Sequence, residues 1–305
     1  MPSLTERLQT GDVLVSDGAW GTQLMARGLE PGDSPEAINL SDPEILASIA
    51  QLYVEAGADL VTTNTFGGSP LNLERYGLAE RTEEINRAAV EALKPVVAGH
   101  ALISASVGPT GSMLKPHGDT DPKTMSDAFH RQIGALIDGG ADVICIETMI
   151  DLNEARLAVE ATRALSSDVP IIATMTFDAT PRGFFTMMGT TVEQASTGLV
   201  EAGADVVGSN CGNGVEKMVE IAREFAAHAP FPIIIQSNAG LPEHHDGELV
   251  YPEGPEFMAS KVGQMIDLGV KIIGGCCGTM PDHIRAIRAA VDAHRGPDGE
   301  LGIRN

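Results

Sequence analysis

The chain contains little cysteine and few aromatic residues. Only four cysteines occur in 305 residues, and aromatic residues make up 4%. A disulfide-stapled secreted domain is therefore excluded, and we expect a cytoplasmic protein whose few cysteines are metal ligands, catalysts or small core residues. Val, Ile, Leu, Ala and Met must fill most of the core, for which 43% apolar residues suffice.

Long apolar runs and positive charge are also scarce. No apolar run reaches 18 residues, and the first residues, MPSLTERLQTGDVL, lack the apolar stretch of a signal peptide. There are 20 basic against 42 acidic residues, giving a formal charge of −22. Because such a surface repels nucleic acid and anionic membranes, we expect neither as a partner. Solubility explains the charge most simply, although a salt-adapted host or a positively charged protein partner would also fit.

What the chain does contain is a recurring phrase in which a helix closes at a glycine and a β-branched run begins. It occurs as EAGADLV (55–61), DGGADVI (138–144), EAGADVV (201–207) and DLGVKII (267–273). Gly at that point tolerates the left-handed conformation that ends a helix. Eight such apolar runs alternate with helical patterns: 13–17, 60–65, 102–107, 143–148, 171–177, 206–211, 233–238 and 271–276.

These runs are nearly continuously apolar, as expected for strands covered on both faces. Eight parallel strands alternating with helices predict a single α/β domain, a (β/α)₈ TIM barrel over residues 1–305. We expect its core at about residues 10–295, followed by a flexible C-terminal tail. A doubly wound open sheet is the main alternative.

Polar residues gather where the predicted strands end. In a TIM barrel all strand C-termini open onto one face, where the active site lies, so residues far apart in sequence meet there. The residues in question are Asp17, Thr65, Glu147, Cys211, Asn238, Cys276 and Cys277.

Three of these residues are cysteines. Cys211 ends the sixth run, and Cys276 and Cys277 end the eighth, flanked by glycines. Three thiolates with one open position are typical of a zinc site that binds a ligand, since purely structural zinc sites are closed by four protein groups. Small buried residues, or a strained disulfide between the neighbours, are the alternatives. Cys145 lies in mid-strand and is expected to be an inert core residue.

The charge of such a site indicates its chemistry. Three thiolates leave Zn²⁺ with a net charge of −1, which suits a fourth, substrate thiolate better than the activation of water. Zinc coordination deprotonates a bound thiol at neutral pH. The predicted reaction is attack by a substrate sulfur on an electrophilic carbon.

Five motifs in this order resemble the homocysteine-binding domain of the homocysteine S-methyltransferase family. They are DGAWGTQL (17–24), TNTFGG (63–68), SNC (209–211), NAGLP (238–242) and GGCCGT (274–279), and the resemblance spans about residues 10–295. SVGPTG (106–111) and VICIET (143–148) are most similar to the homocysteine module of cobalamin-dependent methionine synthases. The resemblance implies a (β/α)₈ barrel that binds Zn²⁺ through Cys211, Cys276 and Cys277 and methylates homocysteine to methionine.

The resemblance also implies roles around the substrate. Glu147 matches the acid that holds the homocysteine ammonium, with a salt bridge at the barrel mouth as the alternative. Asp17 joins that contact or merely shapes the turn that it begins. The backbone N–H groups of Gly18 and Ala19 are expected to receive the substrate carboxylate, because glycine permits close approach.

Three further residues complete the predicted substrate site. Thr65 either hydrogen-bonds the substrate or satisfies a strand end. Asn210, beside Cys211, is expected to support a ligand rather than be one. The amide oxygen of Asn238 is a candidate for the fourth zinc position when substrate is absent, with a purely turn-shaping role as the alternative.

The sequence indicates least about the methyl donor. Full-length cobalamin-dependent methionine synthases carry their own corrinoid module, but its DxHxxG signature is absent from this sequence. We therefore expect no cobalamin on this chain and a separate methylated corrinoid protein as donor. A small sulfonium such as S-methylmethionine is the alternative donor, and a zinc- or thiol-binding or redox module is the non-enzymatic alternative. The long segment 178–191 is expected to form a lid, a docking surface for the donor, or part of the core.

Overall fold

A computed structural model describes residues 1–228, 231–245 and 248–295. The predicted flexible tail, residues 296–305, lies outside the described residues. The strands are, in chain order, β1 (Leu14–Val15), β2 (Leu60–Thr62), β3 (Leu102–Val107), β4 (Val143–Met149), β5 (Ile171–Met175), β6 (Asp178–Thr180), β7 (Gly183–Phe185), β8 (Val206–Asn210), β9 (Ile233–Ser237), β10 (Glu243–His245), β11 (Glu248–Val250) and β12 (Val270–Gly275).

The α-helices cover the outside of the sheet and some of its loops. They are α1 (Leu4–Gln9), α2 (Trp20–Met25), α3 (Ile38–Ser41), α4 (Pro43–Glu55), α5 (Pro70–Leu73), α6 (Thr82–Val97), α7 (Pro122–Asp138), α8 (Leu152–Leu165), α9 (Val192–Ala202), α10 (Val215–His228), α11 (Pro255–Ala259), α12 (Val262–Asp267) and α13 (Pro281–Arg295). Within the described part of the chain, none of them combines the length and apolarity needed to cross a bilayer.

Eight strands form one parallel sheet in the order β1-β12-β9-β8-β5-β4-β3-β2. A parallel bridge between Ser16 and Leu60 joins its two edges, and the Asp17 N–H donates to the Leu60 carbonyl at 3.1 Å. The sheet is thus a nearly closed barrel, which confirms the TIM-barrel prediction and rules out the open sheet. The two hairpins, β6–β7 and β10–β11, stand apart in the loops that follow β5 and β9.

Each predicted apolar run overlaps one barrel strand, and the run 102–107 coincides with β3. β4 extends one residue beyond its run, to Met149, and β12 begins one residue before its run, at Val270. The others differ mainly at their C-terminal ends. β2 stops at Thr62 rather than at residue 65, and β8 stops before Cys211, whose φ of +62° is incompatible with a strand. Of the polar residues at the predicted strand ends, Glu147 lies within β4, and the others belong to the loops that follow the strands.

The recurring glycine–aspartate phrase has a structural explanation. Its glycines, at positions 57, 140, 203 and 269, all adopt positive φ, between 87° and 115°. In the first three copies an aspartate follows, and its carboxylate accepts the N–H of a residue on the preceding barrel strand. The pairs are Asp59 with Val15, Asp142 with Ile103 and Asp205 with Ile171, at 2.7–2.8 Å. The phrase thus ends a helix and pins two neighbouring strands together.

The barrel interior is apolar below and polar above. One residue from each strand, together with Leu4 and Cys145, forms a buried cluster: Leu14, Leu60, Leu102, Val143, Ile172, Val206, Ile234 and Ile272. Cys145 is 3% exposed there, which confirms its prediction as a core residue. Two residues further along, on the same face of each strand, the interior becomes small or polar, as at Ser16, Ser104, Gly208, Gln236 and Gly274. Polar groups therefore line the active-site face of the barrel, above a layer of apolar side chains.

Candidate metal and thiol site

Three cysteines meet at the C-terminal face of the barrel. Cys211 follows β8, and Cys276 and Cys277 follow β12. Their Sγ atoms lie within 4.8 Å of one another, the Cys211 and Cys277 sulfurs are 3.8 Å apart, and all three residues are half-buried free thiols. We call Cys211, Cys276 and Cys277 together the thiol cluster.

A tight turn lets two adjacent cysteines contribute to one cluster. The Cys276 carbonyl accepts the Thr279 N–H at 3.1 Å and the Thr279 hydroxyl at 2.7 Å. Gly278, the third residue of this turn, has a φ of +78°, a conformation in which glycine is favoured. Adjacent side chains in a strand point to opposite faces, but here β12 has already ended at Gly275.

Cys211 is held in a strained conformation. It is one of two described non-glycine residues with positive φ, and Gly212 after it has a φ of +75°. Its N–H donates to the Gln236 carbonyl at 3.1 Å, and its own carbonyl accepts the Asn213 N–H at 2.9 Å. Left-handed backbone at a non-glycine residue costs about 1–3 kcal/mol and is concentrated at functional sites.

The spacing of the sulfurs fits a metal ion. Tetrahedral zinc with Zn–S bonds of about 2.3 Å places its sulfurs about 3.8 Å apart, whereas a disulfide bond is about 2.0 Å long. The 3.8 Å between Cys211 and Cys277 matches the former. Within the described residues the candidate metal group consists of these three cysteines alone, so the donor set suits a soft cation with one position open.

The three thiols also influence each other's ionisation. Hydrogen bonds from Cys276 and Cys277 lower the pKa of Cys211 to about 3. Proximity to the Cys211 thiolate in turn raises the pKa of Cys277 to about 11 and raises that of Cys276. One thiolate is thus stabilised by two thiol donors, and the next two ionise readily only if a cation is present.

Asn210 connects the thiol cluster to Glu147. Its side-chain N–H groups donate to Glu147 Oε2 at 3.3 Å and to the Thr148 hydroxyl at 2.7 Å, and lie 3.8 Å from Cys276 Sγ. Its oxygen accepts the Thr148 N–H and the Thr174 hydroxyl, both at 2.8 Å. A fully buried amide with this many partners is a fixed support rather than a mobile ligand.

Glu147 is a carboxyl group without a cationic partner among the hydrogen bonds recorded for the described residues. Ser106 donates to its Oε1 through a short hydrogen bond, and Asn210 donates to its Oε2. Burial raises the pKa of Glu147 to about 7, only partly offset by Ser106. The group is half-buried at the barrel mouth, where a positively charged ligand would stabilise its ionised form.

Asp17 accepts three hydrogen bonds from protein donors. Its Oδ2 accepts the Trp20 indole N–H at 2.8 Å and the Thr62 N–H at 2.7 Å, and its Oδ1 accepts the Thr62 hydroxyl at 2.7 Å. Burial raises its pKa to about 6 although these hydrogen bonds oppose the shift. Of the two predicted roles, these contacts favour shaping the turn.

The Ala19 N–H has a partner within the protein, the Thr279 carbonyl at 3.1 Å. The role of the Gly18 and Ala19 N–H groups in receiving the substrate carboxylate stays a prediction. Gly18 packs against the same loop, because a Cβ added to it would lie 2.7 Å from Thr279 Oγ1 and 3.2 Å from Tyr53 Cε1. The Gly18–Ala19 turn thereby anchors the loop that carries Cys276 and Cys277.

Thr65 and Asn238 both have partners within the protein. The Thr65 hydroxyl donates to the Ser106 carbonyl at 2.7 Å and lies 2.6 Å from the Thr63 hydroxyl. These contacts fit the alternative in which Thr65 satisfies hydrogen-bonding groups at a strand end. The Asn238 amide oxygen accepts the Cys277 N–H at 3.1 Å, so in this structure it shapes the cysteine turn. Its predicted place as fourth zinc ligand stays a prediction.

Tyr251, Glu253 and His283 support the cysteine loop and were missed by the sequence reasoning. The Tyr251 ring covers Gly278, where an added Cβ would lie 2.1 Å from Tyr251 Cγ. Burial, followed by the charges of the thiol cluster, raises the pKa of Tyr251 to about 12. His283 Nδ1 accepts the Met280 N–H, so its Nε2 carries the proton and donates to the Glu253 carbonyl. In the sequence, the only signal for Tyr251 was the rarity of tyrosine, which occurs three times in this chain.

The long segment after β5 is partly core and partly surface. It forms the β6–β7 hairpin, in which Phe184 is buried at 8% exposure, and continues past β7 to Met187, which is 74% exposed. Part of the segment thus packs as core, and its use as a lid or a docking surface for the methyl donor stays a prediction.

Comparisons with known proteins identify the family. The homocysteine S-methyltransferase family model matches residues 14–291. Methionine synthase of Mycobacterium tuberculosis (strain ATCC 25618 / H37Rv) is 34% identical over 310 residues, covering 95% of this chain and 25% of that protein. Methionine synthase of Mycobacterium leprae (strain TN) is 34% identical over 300 residues, covering 92% and 24%. The chain thus spans about a quarter of the length of these relatives.

A solved structure shares the fold. The homocysteine methyltransferase MmuM from Escherichia coli, in its metallated form, superposes with a TM-score of 0.78 at 23% identity, covering 94% of this chain and 99% of that one. The match of the family model over residues 14–291 shows that the chain belongs to the homocysteine S-methyltransferase family.

Proposed function

We propose that this chain is a zinc-dependent methyltransferase that binds homocysteine as a thiolate and methylates it to methionine. The observation that carries the proposal is the thiol cluster, three sulfurs within 4.8 Å of one another at the barrel mouth. The methionine synthase relatives and the metallated homocysteine methyltransferase MmuM support the assignment.

The cysteines would hold the metal, and the residues around them fix their positions. When bound, Zn²⁺ carries a net charge of −1 with three thiolates and keeps a substrate thiol deprotonated at neutral pH. Asn210 Nδ2 lies 3.8 Å from Cys276 Sγ, and Asn238 Oδ1 accepts the Cys277 N–H. These contacts limit the movement of the sulfurs, so the fourth coordination position of a bound metal would face a fixed direction.

Glu147 would bind the homocysteine ammonium. Its present donors, Ser106 and Asn210, are both neutral. A substrate ammonium would supply the missing positive charge and lower the pKa of Glu147 from about 7. Asp17 and Thr65, whose polar atoms already have protein partners, would shape the site without carrying the recognition.

For the methyl donor we propose a separate methylated corrinoid protein, with no cobalamin held by this barrel. The naming of its 34% identical relatives as methionine synthase supports this choice. S-methylmethionine is the competing donor.

Metal analysis and a donor panel test the proposal. Protein purified under reducing conditions should contain one zinc per chain, and Cys211→Ala, Cys276→Ala and Cys277→Ala should each lose both zinc and methionine formation. With homocysteine as acceptor, methylcobalamin should support turnover, whereas S-methylmethionine alone should not. Turnover with S-methylmethionine would refute the corrinoid donor, and a metal-free protein with a reversible disulfide would refute the enzyme.

A further inference from the structure

Gln236 carries an unused hydrogen-bond acceptor below the thiol cluster. Its side chain is 6% exposed, and its Oε1 accepts no hydrogen bond from the described part of the chain. Its Nε2 donates to the Ser16 hydroxyl at 3.2 Å. A buried amide oxygen without a donor costs about 1–3 kcal/mol, a cost that an N–H donor on a ligand would remove.

The position of Gln236 places this oxygen in the upper interior of the barrel. It lies two residues after Ile234, which belongs to the interior apolar cluster, so its side chain points to the same inner face. Gly274 is its register partner on β12, and a Cβ added to Gly274 would lie 1.8 Å from Ser16 Oγ. Because Gly274 has no side chain, the Gln236 amide can reach across it to Ser16.

Gln236 also adjoins the groups that would bind the substrate. On its other side its register partner is Asn210, whose amide holds Glu147 and faces Cys276. Its backbone carbonyl accepts the Cys211 N–H. Gln236 lies two residues before Asn238, whose side chain contacts the cysteine turn. At about 3.3 Å per strand residue, Gln236 is therefore about 6.6 Å deeper in the barrel than Asn238. Homocysteine places its ammonium four bonds from its sulfur, a span that suits this depth.

We propose that Gln236 determines acceptor specificity by accepting a hydrogen bond from the substrate ammonium through Oε1, alongside Glu147. This inference rests on the proposed function, because it takes the sulfur of the substrate to lie at the thiol cluster. An ammonium has three N–H donors, of which the Glu147 carboxylate satisfies one or two. The uncharged Gln236 oxygen accepts a further one without adding a second negative charge beside Glu147.

The test compares homocysteine with 4-sulfanylbutanoate, the same thiol without its amino group. Binding of each to zinc-loaded protein is measured by calorimetry for the wild type and for Gln236→Met, which keeps the volume and removes the acceptor. The wild-type preference for homocysteine should fall at least fivefold in this variant, while the affinity for 4-sulfanylbutanoate stays within about twofold. Gln236→Glu, which restores an acceptor oxygen, should keep the preference.

Asn86→Leu is the matched control. Asn86 is likewise a fully buried amide whose oxygen has no partner in the described chain, but it lies on α6, outside the barrel. Its replacement should leave the preference unchanged. Zinc content and thermal melting establish that each variant is folded and loaded.

Two outcomes separate the inference from the proposed function. If Gln236→Met weakens both thiols equally, or changes the preference less than fivefold, Gln236 has a structural role and the inference is wrong. If zinc-loaded wild type binds neither thiol, the proposed function itself fails.

Discussion

The residue with the clearest pH signature is Glu147. Its pKa of about 7 lies above the ordinary 4.5 because burial disfavours the ionised form. Homocysteine binding through its ammonium requires that ionised form, so affinity should rise as pH increases through about 7. Glu147→Gln should weaken homocysteine binding about 10- to 100-fold at pH 8, the range of a charge-assisted hydrogen bond. The same variant should lose this part of the pH dependence, as measured by calorimetry between pH 6 and 8.

The raised pKa also has a consequence for stability. Between pH 4.5 and 7 the unfolded chain has released this proton and the folded chain still holds it, so ionisation disfavours the folded state as pH rises. Glu147→Gln should therefore melt higher than wild type at pH 8 and similarly at pH 4. Glu154→Gln is the control for binding. Glu154 is also buried with a raised pKa, but among the described residues its hydrogen-bond donor is Thr110. An unaltered homocysteine pH profile in Glu147→Gln would contradict the ammonium role.

At the scale of the element, the turn after β12 depends on one glycine. Gly278 combines a φ of +78° with a Tyr251 ring only 2.1 Å from its would-be Cβ. Gly278→Ala should open the turn and lower zinc affinity at least tenfold, measured by competition with a chromogenic chelator. Gly269→Ala is the matched control, because Gly269 has a φ of +87° and nothing within 4 Å of its would-be Cβ. It should cost about 1–2 kcal/mol of stability and leave zinc affinity unchanged.

Two outcomes would contradict this prediction about the turn. Equal zinc affinities in the two variants would show that the contact with Tyr251 does not hold the turn closed. A loss of zinc affinity in Gly269→Ala would point to the strand, rather than the turn, as the element that positions the sulfurs.

The same turn shows what the sequence could predict. Apolar runs separated by helices identified every barrel strand, because parallel strands that are covered on both faces are nearly continuously apolar. The adjacency of Cys276 and Cys277 predicted a turn, since a strand would have separated their side chains. The Ala19 N–H and the Asn238 oxygen could not be placed, because their partners, Thr279 and Cys277, lie on other loops. Contacts between loops follow no sequence period.

At the scale of the whole molecule, Asp59 ties the two ends of the barrel together. It accepts the Val15 N–H at 2.8 Å, as the aspartates of the other glycine–aspartate phrases accept strand N–H groups. In addition it pairs with Arg7 of α1 at 2.5 Å and with Arg288 of α13 at 3.0 Å. The side chains of this network are only 15–19% exposed, so solvent screens them less than it screens ordinary surface pairs.

Asp59→Asn should therefore destabilise the protein more than the equivalent change in another copy of the phrase. It keeps an acceptor for Val15 but removes the carboxylate that Arg7 and Arg288 share, leaving Arg7 with Asp12 at 3.9 Å and Arg288 with Asp292 at 2.5 Å. The loss of these two charge-assisted contacts should lower the free energy of unfolding by about 1.5–3 kcal/mol. Asp142→Asn is the matched control. Asp142 accepts the Ile103 N–H at 2.8 Å, but no arginine is recorded beside it among the described residues, so its replacement should cost about 1 kcal/mol. Urea unfolding measures both, and equal losses would show that the arginine pairs contribute nothing to closing the barrel.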